Sequence, residues 1–302
     1  MESKGTVESV KDGIVSAIKG TGDIVNAVVD TVSGTLANTI KGTGKVTTSL
    51  IGTLSDTARA SIHGVSEVSG DVGSAAKGAV IGALRGTRET GKEALATISA
   101  TAVGAVEGAS DVSSSLGMAA KGAVQGAVSG VKDIGVDTAD AIAAAVSGAM
   151  KATTEIVEGT GKTGASLIGA SSDVIRSVIQ GVLEVGGDVG SGAKGAVLGV
   201  MQGMKETGSE ALETVGATAG SVVTQTSSVA GSLGKAAKGA VEGAIAGAKE
   251  MSLDVTESAS AAANGALKAA GEIGAGAVTE VRKALTGTIA GVKVVLKEPF
   301  KS

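Results

Sequence analysis

The sequence predicts an all-α protein of very long amphipathic helices, either extended or folded into long hairpins. Three observations predict it. Apolar residues recur every eleven positions, as in Ile18, Val29, Ile40, Ile51 and Ile62. Apolar and charged residues fall on opposite sides of a single helical phase. Glycines recur four apart in the pattern K-G-A-V-x-G-A-x-x-G, which opens at Lys77, Lys121 and Lys238 and, with Val200 for the second alanine, at Lys194. An eleven-residue repeat corresponds to three helical turns.

Composition supports this reading. The chain has 302 residues, of which 49 are glycine, one is proline and one (Phe300) is aromatic. Aromatic side chains carry much of the burial energy of ordinary cores, so shallow contacts between small residues are expected. Each glycine inside a helix costs about 1 kcal/mol relative to alanine. Such a helix therefore depends on covering its apolar stripe with lipid, with a copy of itself, or with its own return limb. There is no cysteine, which excludes disulfides and thiolate metal sites. A net charge of −4 with mixed signs and no stacking aromatics points away from nucleic acid.

The chain divides by self-similarity. Shifted by 117 residues it overlays itself, with 37 identities between residues 70–130 and 187–247. The expected organisation is a cap region at 1–40, repeat units at 41–157 and 158–274, and a second cap region at 275–302. The first cap shows the finer rhythm: Ile18-Lys19-Gly20-Thr21-Gly22 returns as Ile40-Lys41-Gly42-Thr43-Gly44. The start lacks a signal-peptide core. The longest uncharged run, 214–234, is rich in Thr, Ser, Gln and Gly and is not read as a membrane span. A cytoplasmic protein, or one peripheral on a membrane, is expected. Gly20 to Gly22, Gly42 to Gly44, Gly159 to Gly161, Ser113 to Ser115 and Gly186-Gly187 are the places where the chain can bend. None carries the Pro or Asn-Gly chemistry of a firm turn.

The specific signal is the glycine set Gly78, Gly82, Gly86, Gly122, Gly126, Gly130, Gly195, Gly199, Gly203, Gly239, Gly243 and Gly247. Spacing by four stacks them into side-chain-free stripes for close helix packing. Lys77, Lys121, Lys194 and Lys238 begin the polar face and are candidate contacts for lipid headgroups. Other motifs read as structural. Residues 159–164 resemble part of a phosphate loop, but Ile156 stands where a Walker loop requires glycine. His63, the single histidine, is expected at a solvated position and has Gln180 as its repeat partner. Glu89 with Glu93, and Glu206 with Glu210, share helix faces with basic neighbours and read as solvated salt-bridged faces.

At Lys41-Gly42-Thr43-Gly44-Lys45-Val46 and at residues 77–83 the chain resembles the 11-residue-repeat amphipathic helix proteins: synucleins, perilipins, exchangeable apolipoproteins and late-embryogenesis-abundant proteins. The resemblance implies reversible coating of lipid surfaces, or protection of membranes under stress. The chain departs from them in lacking an acidic tail, in its excess of glycine and in its 117-residue unit. The expected function is that of a non-enzymatic structural protein that coats lipid or assembles side by side into an oligomer or filament. A lipid-independent bundle or fibre and a desiccation protectant are the alternatives. No catalytic residue, cofactor, metal, nucleic acid or small-molecule substrate is expected; the expected partners are the protein itself and a membrane or lipid surface.

Overall fold

The computed structural model describes residues 2–43, 48–87, 91–159, 174–182, 184, 188–204, 211–228 and 232–296. The described residues form helices apart from connecting turns and a small hairpin at residues 288–293. The helices are α1 (Glu2–Thr21), α2 (Ile24–Thr43), α3 (Thr48–Glu67), α4 (Val72–Thr87), α5 (Gly91–Asp111), α6 (Leu116–Gly130) and α7 (Thr138–Gly159). They continue with α8 (174–182), α9 (Val189–Met204), α10 (Ala211–Ser228), α11 (Leu233–Met251), α12 (Val255–Ile273) and α13 (Ala275–Leu285). Strands β1 (Thr288–Ile289) and β2 (Val292–Lys293) pair antiparallel. The expectation of very long helices is corrected here: the longest described helix has 22 residues.

The turns explain the lengths. Ser69, Ser113 and Ser252 adopt left-handed backbone angles (φ 55, 54 and 57°), and Gly135 does the same at 69°. At the serine turns the following amide bonds back to the ended helix: Gly70 N to Val65 O at 2.9 Å, Ser114 N to Ala109 O at 2.7 Å, and Leu253 N to Ala248 O at 2.9 Å. This is the hydrogen bond that closes a helix C-terminus. Two residues beyond each left-handed position stands Asp71, Ser115, Asp137 or Asp254, which accepts amides of the next helix. Such side chains satisfy the orphan donors of a helix start. Stop and start signals thus sit within four residues, and the chain reverses.

Helices two apart in sequence lie side by side and parallel. A methyl group on Gly78, Gly82 or Gly86 would meet the carbonyl oxygens of Val25, Val29 and Ser33 at 2.9, 2.9 and 3.0 Å. The numbers rise together in α4 and α2, so the two run the same way. The helix between them must run back. The result is two layers. One holds α1, α3, α5, α7, α9, α11 and α13, each packed on the next; the other holds α2, α4 and α6, with α8 beside α6, and the pair α10 and α12. Parallel helix dipoles repel side by side, and the antiparallel second layer offsets them.

The core lies between the layers as one connected cluster from Val10 to Val294. It is made of alanine and valine, with Ile14, Leu36, Ile62, Ile98, Ile142 and Ile245 as its large members. Buried threonines at 87, 101, 153 and 226 return their hydroxyls to the carbonyl four residues back. The apolar stripe is therefore covered by the chain's own neighbours. The proposed boundary at residue 40 falls inside α2 and that at 157 in the last turn of α7, while Gly274 separates α12 from α13.

A shift of 117 residues moves five helices along the stack. Five is odd, so the second unit is built in the opposite layer: α4 and α6 belong to one, α9 and α11 to the other.

Candidate interaction surfaces

The glycine set faces neighbouring helices of the same chain, most members against backbone. Gly122 meets the Gly73 carbonyl, and Gly126 would place a methyl 2.7 Å from the Lys77 oxygen. Gly195 and Gly199 lie on Ala139 and Ala143, where a methyl group would stand 2.6 and 2.5 Å from their oxygens. Gly239 and Gly243 meet the carbonyls of Gly190 and Lys194. At Gly130, Gly203 and Gly247 a methyl group would come 2.5, 2.8 and 2.6 Å from the side chains of Leu84, Met150 and Met201. All except the half-buried Gly130 are buried. Further glycines do the same work: Gly104 meets the Ser55 carbonyl, Gly148 that of Ser99, and Gly265 that of Gly216. These were missed because they do not follow the Lys-Gly-Ala-Val signature. Their signal is a common register, since each faces the residue 49 positions earlier, as Gly122 and Gly126 also do.

The four lysines divide between the layers. Lys77 and Lys121 lie on α4 and α6; Lys194 and Lys238 lie on α9 and α11, on the other side of the molecule. Lys121 Nζ bonds Glu184 Oε1 at 2.6 Å, and Gln125 reaches the same carboxylate at 2.7 Å, tying α6 to the start of the next turn of chain. Lys238 lies 3.9 Å from Glu242 on its own helix. Lys194, Lys235 and Lys238 line a cleft of about 330 Å³ together with Asp137, Asp188 and Glu242. There Asp188 accepts the Ser191 amide at 2.9 Å, and Lys235 stands 4.0 Å away from it. Burial, reinforced by the Asp137 charge, raises the carboxyl of nearby Asp140 above its ordinary range.

The densest charge cluster crosses α3 and α5. Asp111 Oδ2 accepts Arg59 Nε at 2.5 Å and lies 3.0 Å from His63 Nε2. Burial pushes Asp111 up, but the hydrogen bonds from Arg59 and His63 outweigh it and hold the carboxyl below its usual range. Glu107, 3.9 Å from Arg59, is raised by burial, with the Glu155 charge of α7 acting in the same direction. His63 is half-exposed, as a solvated position would be, and also joins the hydrogen-bonded network that ties two parallel helices together.

Both ends of the stack are closed. The positions that hold Gly78, Gly82 and Gly86 in α4 are occupied in α2 by Asp30, Gly34 and Asn38, all exposed. In α1 the matching positions hold Asp12, Ser16 and Gly20, also exposed. At the other end the segment after β2 crosses α12. The Val295 amide donates to Ser260 Oγ at 3.3 Å, and Asn264 Nδ2 donates to the Val295 carbonyl at 3.4 Å. Polar or covered end faces are what a helical repeat array needs to stop growing.

Residues 160–164 of the phosphate-loop resemblance lie outside the described residues, as do Glu89, Glu206 and Glu210. Among the described residues no group of three His, Cys, Asp or Glu is placed to hold a metal ion, and no helix is long and apolar enough to cross a membrane. No family model matches the chain, and no curated protein matches it.

Proposed function

We propose that this protein is a non-enzymatic structural protein that works as the closed two-layer stack and assembles side by side with copies of itself. The observation that carries this reading is the repetition itself. Parallel helices that repeat one glycine-on-carbonyl contact along the stack give a quasi-one-dimensional array, and such arrays serve as extended interaction surfaces. The glycine zippers and the eleven-residue rhythm then have one role, which is to make each helix an interchangeable slat. A strict repeat keeps one helical phase through every turn, so each slat turns its apolar side to the same plane.

The test is mass and shape. Sedimentation velocity and electron microscopy across a concentration series should give rods that lengthen or thicken as concentration rises. A single small particle at all concentrations overturns the reading.

A second reading is that the stack opens onto lipid, as the resemblance to synucleins and exchangeable apolipoproteins implies. It is favoured by the local character of the helix caps. Asp23 caps through Asn26 and Asp254 through Glu257, so each helix keeps its start when its neighbours leave. Opening would release the Val and Ile stripe but forfeit the glycine contacts. Flotation with anionic vesicles, read together with amide exchange at buried core positions, tests it. Binding without core exchange, or no binding, removes it.

A further inference from the structure

We propose that copies of the chain dock face to face, the outer side of α4, α6 and α8 from one copy lying on the outer side of α3, α5 and α7 from the next. This rests on the self-assembly reading above and assigns its surface.

The outer side of α4 is fixed by its neighbours. Gly78, Gly82 and Gly86 face α2, while Ala76, Val80 and the Lys77 carbonyl face α6. Ala75, Ala79 and Ala83 are fully or nearly fully buried and face the second layer. This leaves Ser74, Lys77, Ile81 and Arg85 outward. The corresponding line on α6 carries Lys121, Gln125 and Ser129; exposed Lys132 follows in the 3-10 turn after α6 (Val131–Asp133), and exposed Arg176 lies on α8. Lys121 is engaged by Glu184, which leaves Lys77, Arg85, Lys132 and Arg176 to set the sign of this side.

The opposite side has the reverse sign. By the same construction around Gly64, Gly104 and Gly148, the outward charged residues are Asp56 and Arg59 on α3, Glu107 and Asp111 on α5, and Asp140, Lys151 and Glu155 on α7. The 49-residue register of α3, α5 and α7 brings Asp56 and Glu155 to nearly the same height on the stack. Arg59 is already committed to Asp111, and Lys151 is the other cation of this row, so five carboxylates stand against two cations.

A slab with one basic and one acidic side docks on itself in a heterologous way. Such contacts do not close into a dimer, so they propagate. Opposite fields also steer the encounter and set the register. The contact should be screened by salt, because the Debye length falls from about 10 Å at 0.1 M to about 3 Å at 1 M.

Charge reversal on the full chain provides the test. One variant carries Lys77→Glu, Arg85→Glu and Lys132→Glu; a second carries Asp56→Lys and Glu155→Lys. Circular dichroism and melting confirm that each is folded, and glutamine or asparagine replacements stand in where a reversal unfolds. The unmodified chain should sediment at least twofold heavier in low salt than at about 0.5 M salt. Each variant alone should lose that difference, and an equimolar mixture of the two should regain it. Association that survives both variants overturns the assigned faces while leaving self-assembly intact. A chain that stays monomeric in low salt overturns both. Vesicles of phosphatidylglycerol that capture the unmodified chain but not the first variant, with no self-association, identify the basic side as a lipid surface and overturn the second copy as its occupant.

Discussion

Gly122 of α6 lies against Gly73 of α4 so closely that a β-carbon on Gly122 would run into the Gly73 carbonyl oxygen. Two parallel helices touch there backbone to backbone. Gly34 of α2 is helical too, yet a β-carbon there would meet nothing within 4 Å.

The two glycines should therefore respond oppositely to alanine. Gly122→Ala gains about 1 kcal/mol of helix propensity but must push α4 and α6 apart, and overpacking costs about 1–3 kcal/mol. The expected outcome is net destabilisation for Gly122→Ala and stabilisation of up to about 1 kcal/mol for Gly34→Ala. Urea unfolding with matched slopes measures both.

Ser258 is fully buried in α12 and its hydroxyl has no hydrogen-bond partner. A buried orphan hydroxyl costs about 1–3 kcal/mol. Ser258→Ala keeps the volume nearly unchanged and should raise the urea midpoint. A lower midpoint would mean that the hydroxyl has a partner.

The turn between α11 and α12 carries one costly residue and one favourable one. Ser252 sits at φ 57°, and Asp254 accepts the Glu257 amide at 2.7 Å. Ser252→Gly should relieve about 1 kcal/mol of left-handed strain. Asp254→Ala should cost about 0.5–2 kcal/mol. Melting curves of the two variants should move in opposite directions.

The Asp111 network predicts acid sensitivity. Its carboxyl is held below the ordinary 3.8 of aspartate. A depressed folded value adds stability that is complete above the unfolded value and lost as pH falls through the folded one. The chain should therefore weaken as pH drops below about 4, a slope that Asp111→Asn flattens. Glu107 has the opposite sign. Its raised value adds stability only while it is protonated, and that contribution fades as pH climbs above the ordinary 4.5. Glu107→Gln should therefore be as stable as the parent at low pH and more stable at neutral pH, by chemical denaturation at each pH.

The polar end of the stack can be converted into a sticky one. Asp30→Gly with Asn38→Gly gives α2 the glycine spacing of Gly78, Gly82 and Gly86 on its exposed side. End-on association should rise, seen as a larger mass in light scattering that persists in high salt. Persistence in salt separates it from the charge-driven face contact.

How far these features could be read beforehand differs from residue to residue. The helical state, the amphipathic phase and the glycine stripes are local in the chain, because spacing by four or eleven acts within one helix. The turns were legible in principle. Ser69-Gly70-Asp71 and Ser252-Leu253-Asp254 place a left-handed residue two before an N-cap, a signal hidden because serine rather than glycine holds the positive angle. The network around Asp111 was not legible. Arg59 and His63 lie 52 and 48 residues away, and nothing local announces that α3 and α5 run parallel one beside the other.

The amino-acid sequence alone determined that this chain is helical and that its glycines recur four apart along the helices. Those properties follow from short-range periodicity. Only the tertiary structure decided that the neighbour is the chain itself, that helices two apart run parallel, and that the second repeat is built in the opposite layer. The physical reason lies in the turns. A few capping hydrogen bonds reverse the chain, and an odd number of reversals per repeat exchanges the layers.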